Sequence, residues 1–242
     1  MKKIPSLFKS FTHEQCPAWL CPSCYNQTLR IQAGPFHYRT SAASKKRLNG
    51  FDIDPRDVSY VFSGLIECTR QGCRETIAVS GEGWCDEKVL KTCEGIEVDV
   101  IDTFRAKVFI PPLPLFIEPE GCPPDIKSQL NIISSLLTLN SAAAANAIRR
   151  LLEILMDVMD VPEAQNLHRR IEQGLELFGE DAAAIHALKA IGNAGSHGND
   201  ITDKDLEEAC LVLELIVKKF CHASPDLSDI VHRLRTAFTK RL

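Results

Sequence analysis

Hydrophobic and polar positions recur with different periods in the two parts of this 242-residue chain. The N-terminal part shows strand periodicity, most clearly over residues 98–110, where apolar and mostly polar positions alternate. Shorter strands are predicted at residues 26–31 and 61–66, each next to a pair of cysteines. Prolines are then frequent over residues 111–123, so we expect an extended connection there.

From Pro124 onwards apolar residues recur at helical spacing, which predicts a series of amphipathic helices. These are expected over residues 124–139, 140–158, 161–178, 181–191 and 202–220, with a last amphipathic piece from residue 224. Asn140-Ser141 is predicted to cap the second of these helices. Thr202 is a predicted N-cap, with Ile201 and Leu206 spaced as a hydrophobic staple. Residues 191–200 are rich in glycine, and each glycine inside a helix costs about 1 kcal/mol. This segment is therefore predicted to be a helix end, a turn and a new start.

Composition favours a soluble protein in a reducing compartment. Hydrophobic residues make up 45% of the chain, yet no run approaches the roughly 20 uncharged apolar residues of a membrane helix. The first residues lack the apolar segment of a secretory signal, so we expect a cytoplasmic protein without membrane contact. Ten cysteines in such a setting favour metal binding over disulfide bonds.

Charge is unevenly distributed along the chain. Residues 1–50 contain eight basic residues against one acid, which gives them a net charge of +7. The remaining residues contain 20 basic and 31 acidic residues, which gives a net charge of −11. This asymmetry predicts that the N-terminal part faces an anionic partner, or the acidic half of the same protein or of its dimer mate.

Two paired-cysteine knuckles carry the strongest chemical signal. Cys21 and Cys24 form the first pair, and Cys68 and Cys73 form the second, with 43 residues between the pairs. A tight turn between paired cysteines directs two thiolates at one tetrahedral ion, so these four residues predict a structural zinc site. Paired free thiols are the alternative.

Other residues near the knuckles leave some options open. Cys16 is a possible substitute ligand, and His13 is a weaker one. Cys85 and Cys93 could contribute to another metal site, although buried or surface thiols are the simpler interpretation.

The residues between the knuckles include a basic and aromatic segment that we expect to be an inserted loop. Its cationic residues could neutralise phosphates, which predicts contact with RNA or DNA through Arg39, Lys45, Lys46 and Arg47. Phe36, His37 and Tyr38 could stack on bases. A solvated loop is the alternative.

The helical part resembles a bacterial and archaeal family, the domain-of-unknown-function family numbered 4145. The resemblance covers roughly residues 120–220 and includes Arg149-Arg150-Leu151-Leu152-Glu153. Its most specific mark is Gly192-Asn193 followed by His197 and then a capped helix. That family recurs in restriction-type and other anti-phage proteins, often after a paired-cysteine module. The resemblance therefore implies a role in prokaryotic defence, with a restriction or defence protein as a possible partner.

The same family looks related to HEPN helical bundles, and that relation implies a homodimer and, in many members, metal-independent RNA cleavage. On this resemblance Asn193 and His197 match the polar residue and the histidine of the HEPN motif, whereas Gly192 stands where those nucleases have arginine. Lys189 could replace the missing charge, because it lies four residues before Asn193. Arg149 could do so too, or it could pair with Glu153 at helical spacing.

Together these patterns predict an α+β protein with three parts. Residues 1–110 are expected to form a small zinc-ribbon-like β module, residues 111–123 a proline-rich connection, and residues 124–242 an all-α HEPN-like bundle. The predicted function is that of a non-catalytic zinc-containing binding or adaptor protein that contacts nucleic acid or a nuclease partner. The alternative is a metal-independent ribonuclease or toxin with His197, Asn193 and Lys189 as catalytic residues.

Overall fold

The structure, a computed structural model, describes residues 6–48, 54, 57–92, 95–197, 200–221 and 233. The side chains of residues 47–48, 88–92, 95–98 and 197 lie outside this description. An antiparallel, curled sheet forms the N-terminal part, and a set of helices forms the C-terminal part. The chain therefore has the mixed α+β architecture that the change in periodicity predicted.

Within the described part of the chain, the sheet has five antiparallel strands, and a short helix lies between the second and the third. The strands are β1 Leu29–Ile31, β2 His37–Thr40, β3 Ser59–Cys68, β4 Thr76–Thr92 and β5 Gly95–Ile110. The inserted helix is α1, Ala42–Leu48. The strand order is β1-β3-β4-β5, and β2 also pairs with β3, alongside residues 60–63. The predicted strands at residues 26–31, 61–66 and 98–110 correspond to β1, β3 and β5.

One face of the sheet buries an aromatic core. Along β3, Phe62 and Ile66 are buried while Val61 and Ser63 are exposed, so the alternation of the sequence sets which face packs inward. The Phe62 ring packs edge-on against Phe104 of β5, with the two centroids 5.3 Å apart. The segment before β1 closes this core through the bridge between Phe11 and Phe104.

Strand β4, for which the sequence patterns made no prediction, contains Gly81 and Gly83. Glycine at both positions makes room for the aromatic core. An ideal Cβ at Gly81 would lie 2.1 Å from the carbonyl oxygen of Arg105, and one at Gly83 would lie 2.7 Å from the Phe104 ring. A register shift between Ser80 and Gly81 marks a bulge at the same place. Tertiary packing therefore explains why this strand contains two glycines.

The helical part begins directly after the proline-rich segment. Its helices are α2 Pro124–Leu137, α3 Ser141–Val158, α4 Leu167–Gln173, α5 Leu175–Phe178, α6 Ala182–His197 and α7 Asp203–Phe220. A 3-10 turn, Gly179–Asp181, separates α5 from α6. Among the residues described, no helix is both long and apolar enough to cross a bilayer.

Helix caps agree with the sequence at two positions and differ at a third. The Asn140 side chain accepts a hydrogen bond from the Ala143 amide at the start of α3. Thr202 and Asp205 form a reciprocal capping box at the start of α7, as the sequence predicted for Thr202. The helix predicted from residue 161 begins instead at Leu167, because the Asn166 side chain accepts from the backbone three residues later.

A helix does end within the glycine-rich segment 191–200, but later than predicted: α6 was expected to end at Ile191 and instead continues through Gly192 and Gly195 to His197. A Cβ at Gly192 would lie 2.7 Å from the Arg149 Cβ, and one at Gly195 would lie 2.6 Å from the Ala142 carbonyl oxygen. Both glycines therefore allow α6 to approach the backbone of α3 closely. Gly198 and Asn199 lie outside the described residues.

Hydrogen bonds connect the helices to the sheet and to the proline-rich segment. Thr138 Oγ1, at the end of α2, donates to the carbonyl oxygen of Lys107 in β5 at 2.8 Å. Ser134 Oγ donates to the carbonyl oxygen of Leu113. Arg105 of β5 forms an ion pair with Asp203 at the start of α7. These contacts involve buried or half-buried groups on α2 and β5, so the two parts pack against each other.

Candidate metal centre

The first knuckle is a tight turn whose backbone hydrogen bonds aim two thiols in the same direction. The amide of Tyr25 donates to the carbonyl oxygen of Cys21 at 2.9 Å, and the amide of Cys21 donates to Asn26 at 3.0 Å. Tyr25 has a φ of +55°, in the left-handed region that a residue other than glycine seldom adopts. This conformation turns the chain back immediately after Cys24 and towards β1.

The second knuckle is the connection between β3 and β4. The amide of Cys73 donates to the carbonyl oxygen of Arg70 at 2.9 Å, and the amide of Cys68 donates to Glu75 at 2.8 Å. Arg74 has a φ of +54°, so a left-handed residue follows the second cysteine here too. The two turns therefore have matching local geometry, although their cysteines are spaced differently.

Pairing of β1 with β3 brings the two knuckles together. Leu29 of β1 lies opposite Cys68 of β3, and the amide of Thr69 donates to the carbonyl oxygen of Thr28 at 3.0 Å. Thr28 Oγ1 lies 3.1 Å from the Cys68 sulfur. No local sequence pattern indicated Thr28, because its role depends on the register of a strand only three residues long.

The four knuckle sulfurs form one compact group that could hold a metal ion. Cys21 Sγ lies 3.6 Å from Cys73 Sγ, Cys24 Sγ lies 3.8 Å from Cys68 Sγ, and all four sulfurs lie within 4.8 Å of one another. Four thiolates at about 2.3 Å from a tetrahedral ion are about 3.8 Å apart. These separations are far longer than a disulfide bond of about 2.05 Å. The spacing of the four sulfurs is thus compatible with a tetrahedral ion.

Protonation of the cysteines differs across the group. Burial raises the pKa of the Cys21 thiol to about 12. Burial also raises the pKa of Cys24, but hydrogen bonds from Asn26 and from neighbouring thiols outweigh this effect and lower it to about 6. The lowered pKa favours the thiolate of Cys24, which could serve as a first ligand. The charge of a bound ion would stabilise the thiolates of the other three cysteines.

Among the residues that the structure describes, the other N-terminal cysteines do not join this group. Cys16 is buried, and its thiol donates to the carbonyl oxygen of Leu29 at 3.5 Å. His13 is exposed and lies 4.0 Å from the Glu14 carboxylate. Cys85 contacts the Tyr60 hydroxyl at 3.1 Å. Cys93 lies outside the described residues.

The predicted basic loop is not a loop, because β2 and α1 occupy it. Phe36 is buried in the sheet core, and Tyr38 packs edge-on against Phe104 with its hydroxyl donating to Asp102 at 2.7 Å. Phe36 and Tyr38 thus pack within the protein. Of the three side chains predicted to stack on bases, His37 is exposed and could still do so. The sequence could not show that these side chains pack inward, since a short aromatic segment has the same local pattern in a loop and on a strand.

The basic residues of the same segment are on the surface. Arg39 is exposed on β2, opposite Val61 of β3. Lys45 and Lys46 are exposed on α1, and the side chain of Arg47 lies outside the described residues. The structure thus leaves three of the four predicted phosphate-binding side chains accessible.

In the helical part, two of the three predicted catalytic side chains are described, and they have different partners. The amide oxygen of Asn193 accepts from Arg149 Nη1 at 3.0 Å. Lys189 Nζ lies instead 3.0 Å from Nδ1 of His168, on α4. His197 ends α6, and its side chain lies outside the described residues. Arg149 also forms the predicted pair with Glu153, since its Nε lies 3.9 Å from that carboxylate, while a catalytic role for its charge stays a prediction.

Comparison with known proteins gives two family matches. Residues 9–109 match the family model described as Domain of unknown function (DUF8608), and residues 131–236 match the one described as Domain of unknown function (DUF4145). No curated protein and no solved structure matched the chain. The first match includes all four knuckle cysteines. The sequence-based predictions did not include this family. The second match confirms that the helical part, over residues 131–236, is similar to domain family 4145.

Proposed function

We propose that this protein is a non-catalytic, zinc-containing binding protein of the prokaryotic anti-phage response. Zinc is the ion that the four knuckle thiols fit best, because a soft S4 donor set in tetrahedral geometry favours zinc over harder cations. Four protein ligands leave no coordination position for water or substrate, so the ion stabilises the fold and does not activate a reactant. The convergence of these sulfurs is the observation that carries the proposal.

The proposed adaptor role rests on the exposed basic residues of β2 and α1. A zinc-ribbon-like sheet presents Arg39, Lys45 and Lys46 to solvent, and their charges suit a phosphate backbone or an acidic surface of a nuclease partner. The helical part is proposed to be a HEPN-like bundle that forms a homodimer in the cytoplasm. The defence assignment rests on similarity to domain family 4145, which is an argument by association.

Nucleic-acid binding by the basic surface is tested with two triple variants of the full chain. Replacing Arg39, Lys45 and Lys46 with alanine should weaken binding to RNA or DNA and reduce its dependence on salt concentration, since each lost phosphate contact lowers the salt slope by about one. The matched control replaces three exposed helical cations: Lys127, Arg169 and Lys204. Equal loss of binding in both variants would contradict a site at β2 and α1.

A ribonuclease is the second candidate function, and the contact between Arg149 and Asn193 favours it. Gly192 stands at the position where the motif has arginine. However, the guanidinium of Arg149 on α3 donates to the amide oxygen of Asn193 at 3.0 Å. A guanidinium at this position could stabilise the charge of a phosphorane, while His197 would transfer protons. No metal ion is required for these steps.

Cleavage assays in the presence of a chelator distinguish the two candidates. The adaptor proposal predicts no RNA cleavage by the wild-type protein and no loss of partner binding in His197→Ala. Metal-independent cleavage that His197→Ala and Arg149→Ala both abolish would establish the ribonuclease and refute the adaptor. Arg150→Ala is the matched control, because Arg150 is exposed and pairs with Glu153 at 2.8 Å.

A further inference from the structure

A cavity of about 480 Å³ lies where the sheet part, the proline-rich segment and the helices meet. Its walls come from the segment before β1, from the proline-rich segment, and from α2 and α7. The first family match ends at residue 109 and the second begins at residue 131, so the cavity lies at the junction of the two matched parts. Ligand pockets of about 300–1,000 Å³ occur preferentially at such junctions.

Hydrogen bonds hold two of these walls in place. On the N-terminal side, the indole of Trp19 donates to the carbonyl oxygen of Ser6 at 3.0 Å, and the amide of Phe8 donates to Ser6 Oγ at 3.0 Å. On the other side, the hydroxyl of Ser134 on α2 donates to the carbonyl oxygen of Leu113, directly before the lining residues 114 and 115. The cavity is therefore bounded by segments that contacts within the fold keep in position.

The lining is largely apolar. Leucine and phenylalanine side chains dominate it: Leu7, Phe8, Leu115, Leu137 and Leu211. Burial, followed by the charge of Glu207, raises the pKa of the Cys210 thiol to about 12, so this lining group is neutral near pH 7 and adds to the apolar surface. Leu211 lines the cavity and is also 61% exposed, which places it at the opening to solvent. A ligand with an apolar body fits such walls.

Two charged side chains of opposite sign, Lys9 and Glu207, are among the lining residues that the structure describes. Lys9 is exposed and Glu207 is half-buried. Within the described part of the chain, neither forms an ion pair with the other or with a third group. A half-buried carboxylate without a cation has lost hydration that no partner replaces. One positive and one negative group thus face the same apolar cavity without a partner.

We propose that this cavity binds a small zwitterion with an apolar body, of the kind presented by an apolar amino acid or a short apolar peptide with free ends. The ligand's ammonium pairs with Glu207, its carboxylate pairs with Lys9, and its apolar body packs against the leucines. A simple anion would face the charge of Glu207, and a simple amine would face that of Lys9, so both bind less tightly. The site uses none of the zinc ligands or of the basic residues on β2 and α1, and it therefore goes beyond the proposed adaptor function.

Three probes with the same aromatic body test this proposal on the zinc-loaded, full-length protein. They are L-phenylalanine, 3-phenylpropanoate, which lacks the ammonium group, and phenethylamine, which lacks the carboxylate. Titrations followed by calorimetry should show that L-phenylalanine binds at one equivalent per chain. It should bind about tenfold more tightly than 3-phenylpropanoate, as expected for one charge-assisted hydrogen bond to a half-buried group. Its advantage over phenethylamine should be about threefold, because Lys9 is exposed.

The dipeptide leucyl-phenylalanine distinguishes the two sources of this ligand chemistry. Tighter binding than that of L-phenylalanine would identify a peptide ligand, and weaker binding would identify an amino acid. Both results support the proposed site.

Variants assign each charge to its partner. Glu207→Gln should remove the advantage of L-phenylalanine over 3-phenylpropanoate, and Lys9→Gln should remove its advantage over phenethylamine. Glu208→Gln is the matched control, because Glu208 is exposed next to Glu207 and does not line this cavity. Leu211→Ser should weaken all three probes about threefold by removing apolar wall. Leu215→Ser should leave binding unchanged, since Leu215 is 53% exposed one turn further along α7 and is not a lining residue.

The proposal is overturned if neither L-phenylalanine nor leucyl-phenylalanine binds, or if L-phenylalanine binds no more tightly than the two probes with a single charge. It is also overturned if Glu207→Gln and Glu208→Gln behave alike. Circular dichroism of each variant at fixed zinc concentration separates loss of ligand binding from unfolding.

Discussion

Gly195 lies on the side of α6 that faces α3, and alanine at this position should destabilise the protein. An ideal Cβ there would lie 2.6 Å from the Ala142 carbonyl oxygen and 2.8 Å from the Ala145 Cβ. Real Cβ atoms essentially never approach heavy atoms below 3.0 Å. Because the nearest obstacle is backbone, a change of rotamer cannot relieve the contact, and the two helices must move apart.

Two opposing effects set the expected magnitude. In an unpacked helix, alanine is more favourable than glycine by about 1 kcal/mol. Insertion of a methyl group into a packed interface costs about 1–3 kcal/mol, and a backbone obstacle places Gly195→Ala near the upper end of that range. We therefore expect the free energy of unfolding to fall by about 1–2 kcal/mol, after subtracting the gain in helix propensity.

Urea unfolding, followed by helical circular dichroism at fixed zinc concentration, measures this change. Ala190→Gly is the matched control, because Ala190 is exposed on the same helix and its replacement reports helix propensity alone. That control should lose about 1 kcal/mol. The reasoning is refuted if Gly195→Ala raises the free energy of unfolding by about 1 kcal/mol, which is the gain of an unpacked helix.

Three further predictions concern the metal centre, a helix cap and the sheet core. Cys73→Ser should lower the zinc content measured after dialysis, whereas Cys85→Ser, also half-buried, should keep it; equal zinc in both variants would contradict the assigned ligands. Thr202→Ala should lower the free energy of unfolding by about 1 kcal/mol. Hydrogen bonds from Thr202 lower the pKa of Asp205, so the capping box stabilises the fold above the unfolded pKa of about 3.9, and this stabilisation is lost as pH falls through the lower folded value. Urea unfolding should therefore show that Thr202→Ala loses less stability below pH 4 than the wild type does. An unchanged dependence of stability on acid pH would count against the capping box. Phe104→Ala should cost about 3–5 kcal/mol by the same measurement, while Val100→Ala, exposed on the same strand, should stay within about 0.5 kcal/mol, and similar costs would contradict the assigned core.

Local signals located the knuckles, the Thr202 cap and the β5 strand. A pair of cysteines in a tight turn depends on residues that are adjacent in sequence, and so does a capping box. The alternation in β5 could be recognised because one face of the strand packs on the core over many residues. In each case the physical cause lies within a few residues of the chain.

Local signals misled where a distant contact gave a residue its role. Gly81 and Gly83 lie in a strand that the sequence did not predict, where they make room for β5 and the Phe104 ring. Gly192 and Gly195 indicated a helix end, although they let α6 approach α3. A glycine required for close packing and a glycine required for a turn are identical in sequence, so only the neighbour across the contact distinguishes them.

The sequence by itself determined the α+β composition, the four cysteines that could bind a metal ion and the boundary caps of α3 and α7. Only the tertiary structure decided that Arg149 reaches Asn193, that Lys189 contacts His168, and that His186 approaches Glu172. The physical reason is the range of the interactions. Turns, caps and strand alternation arise between near neighbours, whereas side chains on α3, α4 and α6 meet only after the helices have packed.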